Sequence, residues 1–391
     1  MTTPPTIVVA AHARPESTER LLRAVTAADI EPDTRLVISV DVGRGEAAVA
    51  GGRVVELAGG WSWPHGAVEV RTHDGIGLIG HFEICGAMAG EFGSIVLLED
   101  DLLVGPGFHR WATAALEFAA SDERIAGVSL AAPGHDGYRR LPFEPVFDGS
   151  DGFYAQVPWY DGMAFTGTQW SKLTDGPSPS GVQLHRAFDG LDDDEWFPDL
   201  VRRLVAADRR WMLPHVAHAT GTGAAGTHFG SSTDWFQVSL ATRAPSSFRF
   251  VGLDESEAIY DDHMEPTPTM LTRLGVADAA DWTIDLKGTR DLSVLDDDAM
   301  VLTSRPSADP IASWGASMHP LELNIVHGEP GDALQLATVA TVDTAAEGDR
   351  RSLDLLRRHH RLVPSRRDAL DTLVPGARSA ARSLRSRLRR G

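Results

Sequence analysis

The residues best placed to do chemistry are Glu99, Asp100 and Asp101, three consecutive carboxylates that end the apolar run SIVLL at 94–98. Unpaired charges cannot continue into an apolar core, because their burial costs too much. They therefore stand at an exposed strand edge, as a solvated turn or a helix cap, or they share a cation. Oxygen donors of this kind suit Mg2+ or Mn2+, ions that also meet substrate phosphates. Two more candidates follow strand-like runs: the HARPE loop at 12–16, after TIVVAA, and Asp41, after RLVISV. The acidic runs Asp261-Asp262-His263 and 296–298 have a similar composition without such a strand before them, and read as surface turns.

These positions need a scaffold, and the first 130 residues supply one. Strand signals at 6–11, 35–40, 67–71, 94–98 and 125–130 alternate with helical stretches. The first helix opens at Pro15-Glu16-Ser17, with Ser17 as N-cap and Leu21, Leu22 and Val25 at helical spacing. Further helices are expected over 45–57 (weakened by Gly51-Gly52), 80–92 and 106–119. This alternation predicts an α/β fold with a mostly parallel sheet flanked by helices. Ligands of such sheets bind beyond the carboxyl ends of the strands, where all three candidates fall. Beyond 130 the pattern loosens into loops at 132–152 and 175–181, with the aromatic-rich PWYDGMAFTGTQW between them. A helix is expected over 195–206 and a strand near 211–213. We expect a catalytic domain over 1–245, an accessory lobe over 246–345 and a basic helical tail over 346–391.

The segment IVLLEDDLLVGPGFHRWATAALEF resembles the acidic metal-binding signature of GT-A-fold glycosyltransferases. It is closest to the inverting N-acetylglucosaminyltransferases that initiate complex N-glycans, and to bacterial family-2-like relatives. Other pieces follow in the family's order. TIVVAAHARPESTERLL is similar to the first strand and its diphosphate-contacting arginine, which implies Arg14. VISVDVG resembles the strand whose last aspartate meets the nucleoside, implying Asp41, and GLIGHFEICGAM the helix that presents a histidine, implying His81. GVSLAAPGHDG is similar to the strand and loop next after the metal signature, so the resemblance covers about residues 6–230. It implies Asp101 as metal ligand, with Glu99 and Asp100 on the donor side. DDDEWFPDLVRR matches the acidic-Trp motif that supplies the base, implying Glu195 or Asp194 where the eukaryotic enzymes write two aspartates before Trp. His228, in GAAGTHFGSS, matches a glycine-rich loop over the donor phosphates and would bind metal or diphosphate. Each has a plainer alternative: Arg14 a loop residue, Asp41 a turn cap, His81 a core histidine, the acids a helix cap, His228 a loop residue without a role. Trp159, Tyr160 and Trp170 could stack on sugars, although core packing is the commoner use of aromatics.

The implied activity is metal-dependent (Mn2+ or Mg2+) inverting transfer from a nucleotide-diphosphate sugar to a glycan or lipid-linked acceptor. A nucleotidyltransferase would carry a glycine-rich phosphate loop with a lysine near the first strand, and HARPES has neither. A non-catalytic nucleotide-sugar-binding scaffold of a polysaccharide assembly complex would keep the fold without turnover. Composition narrows the rest. The 391 residues are 42% hydrophobic and 23% charged, enough for a substantial core. The single cysteine, Cys85, excludes an intrachain disulfide and a Cys-based metal cluster. Net charge is −19, yet residues 351–391 hold twelve arginines against three aspartates, leaving an acidic body that argues against nucleic-acid binding. No apolar run approaches the ~20 residues of a membrane span. The first run lacks a basic flank, so it reads as a strand and not a signal peptide. We expect a cytoplasmic protein that touches an anionic membrane surface, on the inner face of the plasma membrane, through 377–391. There Ala377, Ala380, Ala381, Leu384 and Leu388 share one helical face while arginines crowd the others.

Overall fold

The structure is a computed structural model and describes residues 3–136, 142–185, 196–223 and 237–344. In chain order the first half runs β1 (Thr6–Ala11), α1 (Pro15–Ala27), β2 (Leu36–Asp41), α2 (Glu46–Gly59), β3 (Val68–His73), α3 (Gly77–Phe92), β4 (Ser94–Glu99), β5 (Leu102–Val104), α4 (Phe108–Ala119) and β6 (Ile125–Ser129). It continues with β7 (Gly152–Ala155), β8 (Met163–Thr166), α5 (Gly167–Thr174), α6 (Trp196–Ala206), β9 (Arg210–Pro214), β10 (Ala219–Gly221) and β11 (Ile259–Tyr260). The chain then adds α7 (Pro268–Arg273), β12 (Thr283–Asp285), β13 (Met300–Thr303), β14 (Ala312–Trp314), α8 (Glu322–Val326) and β15 (Leu334–Thr338).

Nine strands form one sheet in the order β11-β7-β9-β6-β8-β4-β1-β2-β3. β3, β2, β1 and β4 are mutually parallel, and β8 runs antiparallel between β4 and β6. This is the mixed, mostly parallel α/β sheet that the strand–helix alternation predicts. Residues Ile7–Val9, Leu36–Ile38 and Ile95–Val96 are wholly buried, because helices cover both faces of a parallel sheet and leave no position for polar alternation. β11 joins the far edge of this sheet beside β7. A separate four-stranded sheet, β12-β13-β15-β14, encloses its own core of Ile284, Leu286, Leu302, Leu334 and Leu336. No helix among the described residues is long and apolar enough to cross a membrane, and the basic tail lies outside them.

Two local expectations change. Ser17 is buried inside α1 and caps nothing; Arg14 holds the N-cap position and Pro15 opens the helix. Proline suits that place, since its φ is preset and the missing N–H has no helical partner there anyway. Gly51 is a packing requirement of α2: a Cβ on it would stand 2.1 Å from the carbonyl oxygen of Val42. The helix therefore lies closer to the end of β2 than any larger residue allows.

Candidate active site

β4 is held by β1 on one side and β8 on the other, with Ala10 opposite Glu99. Where the ladder ends, the Asp100 N–H still bonds the Ala10 carbonyl (3.1 Å), and the Asp101 carbonyl accepts from the Thr222 N–H (2.8 Å). β5 then leaves as a short ribbon with β10. The triplet is thus fixed at the carboxyl end of the sheet by backbone bonds to two different segments. The loop after β1 closes over it. The His12 N–H donates to Asp100 Oδ2 (2.9 Å), the Arg14 Nη1 to Asp101 Oδ2 (2.6 Å), and Arg14 Nε lies 3.4 Å from Asp100 Oδ1. Sequence-predicted Arg14, Glu99, Asp100 and Asp101 therefore meet at one place.

The electrostatics are those of crowded acids with one guanidinium. Burial, then repulsion from Asp101, Asp100 and Asp161, pushes the Glu99 carboxyl up to about 8. Burial also raises Asp100, against the pull of Arg14. Against its own burial, Arg14 is held charged by Asp100 and Asp101. Among the described residues, carboxylate oxygens crowded beside a single guanidinium are of the hard-donor kind that would suit an added Mg2+ or Mn2+, which would relieve the repulsion.

Asp161 is the member that sequence reasoning missed. It is 5% exposed, and burial raises its carboxyl to about 6. Its Oδ2 accepts from the Gly221 N–H at 3.3 Å, one residue from the Thr222 N–H that holds Asp101. One acid inside an aromatic run gives no local signal; only its place just before β8 brings it beside Glu99.

Asp41 and His81 stand further along the sheet, and both are engaged. Asp41 is 3% exposed, with Oδ1 accepting from the N–H groups of Gly75 (2.6 Å) and Ile76 (3.2 Å) and Oδ2 from Gly77 (3.0 Å). Burial works against its charge, but these bonds outweigh it and hold the carboxyl below its usual range. The carboxylate thereby fastens the start of α3 to the end of β2. The His81 Nε2 lies 2.9 Å from the Ser39 hydroxyl, which also meets His73 Nε2 at 3.1 Å. Burial lowers His81 to about 4, so the ring is neutral.

Glu195, Asp194 and His228 lie outside the described residues. Trp170 stacks on Phe165 at 4.8 Å inside the core, and Trp159 stacks on Tyr160 at 5.3 Å. Asp261-Asp262-His263 is not a surface turn. Asp262 and His263 are buried, and the three residues offer ligand atoms within 4.8 Å of one another. Arg290 pairs with Asp261 and reaches His263 Nδ1 at 3.4 Å, so a guanidinium already supplies positive charge there.

No protein-family model matches the chain, and no curated protein matches it. Among solved structures it is similar to the mannosyltransferase PcManGT from Pyrobaculum calidifontis in complex with GDP-Man and Mn2+, with a TM-score of 0.31, 16% identity, and coverage of 46% of this chain and 48% of that one. It is also similar to S. aureus TarS 1–349 (TM-score 0.35, 12% identity, 56% of this chain and 61% of that one). A third likeness is to GalNAc-T7 with UDP, GalNAc and Mn2+ (TM-score 0.38, 13% identity, 55% of this chain and 43% of that one). The chain thus spans between 43% and 61% of the length of the structures it resembles.

Proposed function

We propose that the protein is a metal-dependent, inverting GT-A glycosyltransferase, using a nucleotide-diphosphate sugar of hexosyl or N-acetylhexosaminyl type. The supporting observation is the convergence of Arg14 on Asp100 and Asp101 at the carboxyl end of β4. A departing diphosphate needs positive charge, and this edge of the sheet offers a guanidinium beside a carboxylate set suited to a divalent cation. Asp101, with Asp100 behind it, would hold that ion, and His228 would add a ligand or meet the diphosphate. When bound, the ion acts as a Lewis acid on the leaving group. Asp41 and His81 line the nucleoside side by shaping the start of α3. Inversion also requires a carboxylate on the acceptor side to take the hydroxyl proton; the resemblance puts it at Glu195 or Asp194. Thermal denaturation with a panel of UDP- and GDP-sugars, with and without Mn2+, tests this. A true donor stabilises by RT ln(1 + [L]/Kd), about 2.7 kcal/mol at a hundredfold excess over Kd. No Mn2+-dependent rise with any nucleotide sugar would defeat the reading.

We place the acceptor, a glycan or lipid-linked sugar of cell-surface polysaccharide synthesis, at an anionic membrane surface reached by the arginines of 377–391. Each basic residue near such a surface contributes about 1 kcal/mol, screened by salt. At low salt the full chain is expected to co-sediment with anionic vesicles, and a chain ending at Val374 to stay in solution. Equal recovery of the two would remove the membrane from this account.

A further inference from the structure

Resting on the sugar-transfer reading, we propose that a cavity at the far end of the β5–β10 ribbon from the acid triplet holds one neutral sugar residue of the acceptor, remote from the residue that reacts. The cavity measures about 280 Å³ and is lined by Asp151, Val216, His218, Arg243, Pro245 and Phe248. Sites for drug-sized molecules occupy roughly 300–1,000 Å³, so this one is limited to a small ligand.

Its floor is rigid. His218 is 3% exposed and lies flat on Trp111, with ring centres 5.2 Å apart, while Phe248 stands edge-on to both rings. Packing alone locks the imidazole: Nδ1 is buried without a hydrogen bond, and no bond among the described residues holds Nε2. Buried polar groups are otherwise nearly all bonded, so a ring fixed in place with no bond of its own points to a ligand. Burial lowers His218 to about 4, and a neutral imidazole offers one donor and one acceptor, which a hydroxyl complements. At the rim, Asp151 Oδ2 accepts from the Arg249 N–H (2.6 Å), and its carboxylate can take further hydroxyl protons. The charges of Asp151 and Arg243 cancel, so the lining favours neither a cation nor an anion. Val216, Pro245 and Phe248 supply an apolar wall for the C–H face of a ring. Apolar surface continues outside the mouth, where Val216 is 58% exposed and Phe147, 69% exposed, meets the neighbouring His215 ring at 5.3 Å.

The ribbon sets the distance to the triplet. The Gly105 N–H donates to the His218 carbonyl (2.8 Å) at one end, and the Thr222 N–H to the Asp101 carbonyl (2.8 Å) at the other. Between them Ala219–Gly221 pairs with Leu102–Val104. Four extended residues span about 13 Å. The transferred sugar of the donor adjoins its diphosphate, so a ring held this far from the triplet belongs to the acceptor chain.

The test uses full-length protein and the methyl glycosides of glucose, galactose, mannose and N-acetylglucosamine, followed by saturation-transfer NMR without nucleotide or Mn2+. At least one glycoside is expected to receive saturation from the wild type. Val216→Trp, a change at an exposed position, fills the mouth and is expected to abolish the transfer. His218→Phe keeps the stack on Trp111 but removes the ring nitrogens, and should weaken binding roughly 2–10-fold. Denaturant curves check that both variants fold. A wild type that binds none of the glycosides would overturn the proposal, and so would unchanged affinity in either variant. If glycosides bind here but no nucleotide sugar stabilises the protein with Mn2+, the cavity stands as a saccharide site, while the sugar-transfer reading and the acceptor role fail together.

Discussion

Asp101→Asn is expected to abolish Mn2+-dependent binding of the donor diphosphate while leaving the fold intact. The Asp101 side chain is 32% exposed and stands past the last paired residue of β4, so no core contact is lost. Its backbone carbonyl, which the Thr222 N–H holds, is untouched by the change. Asparagine retains one oxygen but removes the charge that would bind a hard cation, and the charge-assisted bond to Arg14 weakens with it. Arg14 then leans on Asp100 alone, 3.4 Å away, at the edge of an acid set with less negative charge to offer an ion. The readout is calorimetric titration of UDP or GDP with and without Mn2+, beside a denaturant curve. An unchanged Mn2+-dependent affinity would show that the ion, if any, is held elsewhere, for instance at Asp261-Asp262-His263. A large loss of stability would show instead that the triplet holds the loop after β1 in place.

The elements that carry this site were legible because they are of the kind that sequence displays well. β1, β2, β4 and β6 are buried on both faces and read as predominantly apolar runs, and the expected strand at 6–11 coincides with β1 residue for residue. The triplet was legible for the same reason, as charge set against such a run. β7 and β8 are four-residue strands, too short to show a period, in a stretch of glycines and aromatics. Their identity depends on partners 34 to 105 residues away, information that a local window does not hold. Asp161 was hidden with them. For Asp41 and His81 the residue type and strand end were readable, but their partners were not: the N–H groups of 75–77 and the Ser39 hydroxyl are set by how the β3–α3 turn folds back. The buried Asp261-Asp262-His263 misled for a related reason. Its charge is compensated by Arg290, on a separate segment 29 residues beyond Asp261.

The four-stranded sheet beyond β11 offers the largest expected effect on stability. Arg305 and Asp285 are 2% and 0% exposed at the side chain, with Nε 3.2 Å from Oδ2. Asp285 ends β12 and also accepts from the Thr289 and Arg290 N–H groups and the Thr303 hydroxyl, tying down the turn that follows the strand. Arg305 in turn donates to the carbonyls of Gly288 and Arg290. Arg305→Met keeps most of the volume but removes the nearest guanidinium from a buried carboxylate, and breaking such a pair costs about 3–5 kcal/mol, less here to the extent that Arg290 still offsets the charge. The cost should depend on pH, and its sign follows from Asp285. Burial already raises that carboxyl above its ordinary value despite Arg305, and losing the guanidinium raises it further. A folded-state pKa above the unfolded one means that the folded form holds its proton longer, so the variant loses stability as pH rises from the unfolded value towards the folded one. Urea unfolding of wild type and variant should therefore show a deficit at pH 7–8 that shrinks towards pH 5. Adding Asp285→Asn to Arg305→Met should recover part of it, because the buried charge that then faces only the Arg290 guanidinium is gone. A deficit that is the same at both pH values, or none at neutral pH, would mean that the pair does not anchor this turn and that the loop is held by its backbone bonds.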